Sequence, residues 1–516
     1  MKQQKMSFID DRFRYIGKGI LTGLIAGIVV SSFRIGIQKI LNLVIRLYHF
    51  SHTEPQWLIL WAVFSVMIAV IIGSLVKSEP NIKGSGIPQV EGQVQGVIQT
   101  NWRSVLWRKF IGGLLANGSG LFLGREGPSI QLGSAIGQGV SEWTKGDEVE
   151  ESVLLSSGAG AGLAAAFNAP IAGLMFVLEE VHHNFSPLVA ITTFAATVSS
   201  NFVALNIFGL TPVLDIGSLI IFPLRYYNWV VLLGIFLGFS GWFFSKTLLA
   251  LPGLYAKVPL IPKRYNVVIP LLLIIPIGYF LPEMIGGGSS IVTNLENWQF
   301  PLGLLAALFV LRFVFFMVSY GSNVPGGIFL PILSLGGILG CFIGQIAITY
   351  FGVEQIFFTH FIIFAMAGYF TSIGKAPLTA ILLVTEMVGG LNQLMPLAIV
   401  SLVSYVTSDL LNVKPIYEQL LDRLIASNHG KRIGKRFSFV LPVVPGSAFT
   451  GKAIRDINWP EDILITGVRR GQDTIIPCGK TMIRTGDHLI LSTDKGLAKE
   501  VHEQLNRLNT NTIGST

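Results

Sequence analysis

Charge is what this chain has least of. Only 13% of its 516 residues are Asp, Glu, Lys or Arg, against about 25% in an average soluble protein. Hydrophobic residues make up 51%, and the mean hydropathy is +0.61. So little charge cannot cover a water-facing surface, and most of the chain belongs in lipid. Cysteine is nearly absent: Cys341 and Cys478 are too few and too far apart for a disulfide framework. No small-residue cleavage site of the Ala-x-Ala kind follows the basic N-terminus, which argues against a signal peptide. The net charge of +8 does not point to nucleic acid. Its basic residues gather at the ends of apolar runs, where membrane anchoring places them, and no nucleic-acid-binding motif accompanies them.

Long unbroken apolar runs are also scarce. Many of the apolar stretches, such as Phe357–Ala365 and Leu378–Thr385, fall short of the ~20 residues of a simple span. The 57 glycines exceed what a plain bundle needs. They imply close helix contacts and helices broken at membrane depth, where irregular backbone survives only against protein or a water-filled cavity. The expected architecture is an all-α polytopic membrane protein with a small α+β domain appended. Residues 1–15 form a basic segment placed in the cytoplasm, 16–428 the transmembrane domain, and 429–436 a basic linker. Residues 437–516 form a cytoplasmic domain with predicted strands at Ser438–Val444, Ile463–Val468, Thr474–Ile476 and His488–Ser492, and a helix at Leu497–Leu508.

The membrane part is duplicated. Gly124-x-x-x-Pro128-x-x-x-Leu132-Gly133-x-x-x-Gly137 recurs 203 residues on as Gly327-x-x-x-Pro331-x-x-x-Leu335-Gly336-x-x-x-Gly340. A second pair follows in order: Ala169-Pro170-Ile171-Ala172 runs to Glu179, and Ala376-Pro377-Leu378-Thr379 runs to Glu386, 207 residues on. Duplicated halves with broken helices mark a transporter with its substrate site where the repeats meet. Spacing does not fix whether the halves are parallel or inverted.

The stretch Gly124-Arg125-Glu126-Gly127-Pro128 lies between two apolar runs, so its charges sit near hydrocarbon, where charges are costly and usually functional. A helix opening at Pro128 would aim its free amides at Glu126. A helix N-terminus binds anions, so Glu126 is tethered where a dissolved anion would otherwise bind. Three further stretches have the same character: Lys83-Gly84-Ser85-Gly86-Ile87-Pro88 offers a hydroxyl, Gly326-Gly327-Ile328-Phe329-Leu330-Pro331 offers amides at Ile328 and Phe329, and Lys414-Pro415-Ile416-Tyr417 offers a phenol. Neutral donors suit a permeant anion, which a buried Lys or Arg would hold too tightly.

With GSGIP, GREGP, GGIFLP and the late Tyr in this order, residues 16 to 425 resemble the CLC chloride channel and transporter family. The resemblance implies a homodimer of subunits, each with its own anion pathway built from two inverted halves. It implies that Ser85 and Tyr417 coordinate a central chloride through hydroxyls and that Ile328 and Phe329 add main-chain amides. Glu126 would be the external gating glutamate. Glu180 matches the internal glutamate of proton-coupled members, which makes chloride/proton antiport the expected function and a passive chloride channel the alternative. Lys109 and Glu91 match positions that resemble a buried ion pair, while the repeat-related Glu179 and Glu386 read as structural or interface groups. Intact GSGIP and GREGP favour chloride over nitrate or fluoride.

Residues 446–491 resemble the TrkA-C (RCK-C) regulatory domain, which implies a bacterial protein under control of an unidentified cytoplasmic ligand, with an inert dimerisation domain as the alternative; the charge of the two ends puts both termini in the cytoplasm, at the inner membrane. No cofactor and no enzymatic activity are expected. A rival class, a zinc enzyme or metal carrier, rests on Glu179 and His183 sharing a helix face four residues apart. No third ligand stands near them in sequence.

Overall fold

The computed structural model describes residues 2–210, 212–214, 220–256, 262–288, 291–292, 295, 300–427, 436–460, 463–471, 473–494 and 498–510. The first half of the membrane part comprises α1 (Lys2–Ser51), α2 (Gln56–Ser78), α3 (Ile87–Val94), α4 (Trp102–Gly118), α5 (Glu126–Trp143), α6 (Glu148–Phe167), α7 (Pro170–Phe176) and α8 (Pro187–Phe208). The second comprises α9 (Tyr227–Tyr255), α10 (Val268–Phe280), α11 (Leu302–Gly321), α12 (Phe329–Phe351), α13 (Phe358–Gly374), α14 (Pro377–Val388), α15 (Leu394–Leu410) and α16 (Ile416–Ser427). Among the described residues, seven helices are long and apolar enough to cross a membrane. Others, such as α3 and α7, are too short to do so.

Glycine sets the helix contacts. A Cβ on Gly19, Gly23 or Gly27 of α1 would stand 2.6, 2.1 or 2.8 Å from the carbonyl oxygens of Thr192, Ala196 and Ser200. Small residues every four positions let the two backbones touch, and the rising register shows that α1 and α8 run parallel. The duplication reappears in the packing. Gly133 and Gly137 of α5 press on the carbonyls of Gly158 and Leu154 in α6, and Gly336 and Gly340 of α12 press on those of Ala365 and Phe361 in α13.

The halves are inverted. Gly124 and Gly327, equivalent in the two repeats, form an antiparallel bridge. The Gly124 amide donates to the Gly327 carbonyl at 2.8 Å, and the Gly327 amide to the Gly124 carbonyl at 2.6 Å. Identical bonds exchanged between equivalent residues require a local two-fold axis between them, so the chain passes this point in opposite directions in the two halves.

One local expectation needs correction. α5 opens at Glu126, two residues before Pro128, because the Ser129 amide already bonds the Arg125 carbonyl at 3.0 Å. The N-terminal residues join the first span directly, since α1 runs unbroken from Lys2. Arg14 and Lys18 both pair with Glu150 at the start of α6, which ties the basic end of α1 to the acidic first turn of its neighbour.

The C-terminal unit has its own core, including Leu441, Val468, Leu489, Leu491 and Leu505. Its strands β1 (Arg436–Pro442), β2 (Ile463–Arg470), β3 (Asp473–Ile475) and β4 (His488–Asp494) form one antiparallel sheet in the order β1-β4-β2-β3, followed by α17 (Ala498–Thr510). The predicted strands and helix fall on these elements within a few residues. Most of the basic linker lies outside the described residues.

Candidate functional site

The site is assembled from helix starts. Gly84 and Gly86 adopt φ of 62° and 92°, left-handed conformations that glycine accepts without strain. At Gly86 there is also no room for a side chain, since a Cβ would stand 2.4 Å from the Gln131 side-chain oxygen. Between them Ser85 is buried, and its hydroxyl oxygen accepts the Ile87 amide at 3.3 Å. Lys109 of α4 braces this loop from behind, donating to the carbonyls of Ile82 at 2.9 Å and Gly84 at 2.8 Å. This corrects the expected Lys109–Glu91 ion pair: none forms among the described residues. Backbone carbonyls satisfy the ammonium, and Glu91 Oε2 is buried without a hydrogen bond.

Glu126 is 0% exposed, and neither carboxylate oxygen has a hydrogen-bond partner. It sits in the first turn of α5, and the amide of Leu330, in the first turn of α12, also faces the carboxylate without closing a full hydrogen bond. The carboxylate therefore occupies the meeting point of two helix N-termini, where orphan amides favour negative charge. Arg125 Nε stands 3.7 Å from Glu126 Oε1. Ile328 and Phe329 are buried at the start of the same α12, and the Phe329 ring packs 4.2 Å from Phe370 and 5.6 Å from Phe167.

Tyr417, near the start of α16, is fully buried with an unpartnered hydroxyl. It lies within electrostatic reach of Glu180, Tyr320, Glu91 and Glu126. Glu180 is 3% exposed, with Oε1 unpartnered. It lies on a π-helical turn, Val177–Val181, closed by the His182 amide on the Val177 carbonyl at 2.9 Å. Such single-turn widenings recur at functional sites. Its burial sets it apart from a surface glutamate at a helix end.

One participant escaped the sequence reading. The Tyr320 hydroxyl, at the end of α11, lies against Ser85 and 3.3 Å from where a Cβ of Gly84 would stand. The available signal was a lone phenol shortly before the GGIFLP motif. The proposed zinc pair does not assemble. Glu179 spends both oxygens on the amides of Leu378 and Thr379, and His183 has left the helix with φ of 50°.

These features define a class: a polytopic membrane protein whose two repeated, inverted halves bring the starts of broken helices together around buried polar side chains. The chain belongs to the voltage gated chloride channel family, which residues 68–409 match, and residues 439–506 match the TrkA-C domain. It is 35% identical over 437 residues to the H(+)/Cl(-) exchange transporter ClcA of Vibrio cholerae, covering 80% of this chain and 90% of that one. The protein of that name from Klebsiella pneumoniae is 31% identical over 425 residues, again covering 80% and 90%. A slow cyanobacterial Cl-/H+ antiporter superposes with a TM-score of 0.77 at 29% identity, over 81% of this chain and 99% of that one. A eukaryotic CLC transporter at 19% identity shares the fold, with a TM-score of 0.67 over 80% of this chain and 74% of that one.

Proposed function

We propose that this protein is a secondary active chloride/proton antiporter. The observation that carries the reading is the fully buried Glu126 carboxylate, unpartnered at the junction of two helix N-termini. A tethered anion there competes with a dissolved one. When ionised, Glu126 fills the anion position; when protonated, it loses its attraction for the amides and withdraws, leaving them to chloride. One carboxylate thus carries a proton and gates an anion. The exchange activity named for the relatives supports the same coupling.

Chloride passing Glu126 meets the Ser85 and Tyr417 hydroxyls and the amides of Ile328 and Phe329. These neutral donors bind it while still letting it leave. Protons reach Glu126 from Glu180, whose buried carboxyl shares electrostatic contact with Tyr417. The molecule works as a homodimer in a bacterial inner membrane with both termini in the cytoplasm, and its TrkA-C domain takes a cytoplasmic ligand.

The test uses purified protein in liposomes with an outward chloride gradient and an external pH electrode. Proton uptake against its own gradient, abolished in Glu126→Ala while chloride still moves, is the expected result. Loss of uptake in Glu180→Val then assigns the inner proton site. Chloride flux without proton movement in the unmutated protein would overturn antiport in favour of a passive channel.

A further inference from the structure

Arg312 of α11 is a buried guanidinium that serves two carbonyls. Its Nη1 donates to Met284 at 2.9 Å and its Nη2 to Gly286 at 3.2 Å. Lys109 does the same for Ile82 and Gly84 in the other half. The two cations stand 203 residues apart, the offset that separates Gly124 from Gly327, and the carbonyls they hold stand 202 apart. Each loop opens with one turn of 3₁₀ helix, Pro80–Ile82 and Pro282–Met284. Each carries two left-handed glycines, with φ of 83° and 101° at Gly286 and Gly288 in the second. Lys109 and Arg312 are therefore repeat equivalents, a third matched pair that charge type and composition hid.

Each loop reaches across to the opposite half. The Gly84 amide donates to the Val324 carbonyl at 3.0 Å, just ahead of α12, and the Gly286 amide to the Gly120 carbonyl at 2.7 Å, just ahead of α5. Gly287 tightens the second contact: a Cβ there would stand 2.9 Å from the Leu123 carbonyl oxygen and 3.0 Å from Leu330 Cδ2. Arg312 holds the same segment a second way, with its guanidinium carbon 4.8 Å from the centre of the Phe122 ring. Both partners border the carboxylate of Glu126. Leu123 leads straight into Gly124, and a Cβ on Gly124 would stand 2.5 Å from Glu126 Oε2 and 3.2 Å from the Leu330 amide nitrogen.

The two loops differ at one telling position. Where the first offers the Ser85 hydroxyl, the second has Gly287. A loop without side chains has no hydroxyl to offer a ligand, yet it keeps a buried cation, which is costly to desolvate. Its value lies in what the backbone touches. We propose that Arg312 is a positioning residue for the Glu126 gate. Through Phe122 and the Gly286–Gly288 loop it holds the segment before α5 against the start of α12, so that both helix N-termini converge on one carboxylate. When that grip loosens, the ionised carboxylate is held by fewer amides and leaves without a proton, and chloride slips past uncoupled. The proposal rests on Glu126 as the gate, not on antiport.

Paired chloride and pH electrodes on liposomes holding the full chain test it. Arg312→Gln should raise chloride flux about threefold, the effect of one weakened hydrogen bond, and lower the protons carried per chloride in proportion. Arg312→Lys, the side chain that the other half uses, should recover most of the ratio. In Glu126→Gln, where no ionised gate remains, adding Arg312→Gln should leave chloride flux unchanged. A residue needed only for folding would lower flux in both backgrounds and leave the ratio alone. An equal effect in both backgrounds, or an unaltered ratio in Arg312→Gln, would overturn the proposal. If Arg312→Gln does not fold, Gly287→Ala replaces it, since its Cβ presses on Leu123 and Leu330 with no buried charge removed. It should produce the same slip, absent again in Glu126→Gln. Chloride flux without protons in the unmutated protein would defeat antiport, and the chloride comparison between the two backgrounds would still decide the role of Arg312.

Discussion

Glu179 and Glu386 cap each other's helices. Glu179 accepts the amides of Leu378 and Thr379 at 3.1 and 2.7 Å, while Glu386 accepts those of Ile171 and Ala172 at 3.0 and 2.8 Å. The four amides are repeat equivalents, in the first turns of α14 and α7. Each half thus supplies the carboxylate that the other half's Pro-started helix lacks, since neither Ala169 nor Ala376 caps with its own side chain. This crossed pair clamps the inverted halves together.

Removing one arm should therefore destabilise the fold without touching the anion path. Glu386→Ala leaves two orphan amides at the start of α7 and should cost roughly 2 kcal/mol. Glu386→Gln keeps an acceptor and should lose about half as much. The apparent thermal midpoint of detergent-solubilised protein measures both, and the proton-to-chloride ratio should hold in Glu386→Gln.

Gly124 leaves room for the gate. A Cβ there would stand 2.5 Å from Glu126 Oε2 and 3.1 Å from Pro331 Cδ. The carboxylate is the end of a flexible side chain and gives way before the backbone does. Gly124→Ala should therefore fold but expel Glu126 from the two helix N-termini. Proton uptake should drop toward the Glu126→Gln level while chloride still crosses, as read by paired chloride and pH electrodes. Full coupling in Gly124→Ala would contradict the placement of the carboxylate.

Much of this arrangement was legible in the sequence because broken helices must announce themselves. Pro128 and Pro331, with their glycines, recur at one offset, and Pro170 and Pro377 at another, so the duplication and the short helices were visible. Spacing carries no direction, so inversion came from the family resemblance and not from the repeat itself; the reciprocal bonds of Gly124 and Gly327 agree with it. Lys109 was misassigned for a general reason. A sequence names partners by charge, whereas this ammonium found two carbonyls turned toward it by the Gly84 loop. The π turn under Glu180 was equally hidden, because one inserted residue in a helix leaves no periodic trace over so short a segment.

Tyr320 should matter to anion affinity. Its hydroxyl lies against Ser85, whose oxygen already accepts the Ile87 amide, so the phenol helps hold the Ser85 side chain at the site. Tyr320→Phe keeps the stack on Phe316, whose centroid is 5.8 Å away, and removes only the hydroxyl. Chloride binding by titration calorimetry should weaken about fivefold, the effect of one lost neutral hydrogen bond. Unchanged affinity would remove Tyr320 from the site.

The C-terminal domain carries a pH signature of its own. Arg470 grips Asp487 with two bonds, Nε to Oδ1 at 2.8 Å and Nη2 to Oδ2 at 2.7 Å, and the Arg484 amide adds a third at 2.8 Å. Burial alone would raise the Asp487 pKa, but the bonds from Arg470 and Arg484 outweigh it and hold the carboxyl below its ordinary value. A group whose pKa is depressed by folding stabilises the fold fully above the unfolded pKa, about 3.9 for Asp, and loses that contribution as pH falls through the lower folded value. The pair should therefore contribute a constant roughly 2–3 kcal/mol between about pH 5 and 8 and fade below about pH 4. Asp487→Asn should lower protection of the β2 and β4 amides in hydrogen exchange on the full-length protein at neutral pH. The gap between mutant and unmutated protein should close as the pH falls below about 4. A gap that persists in acid would mean that the pair acts through shape rather than charge.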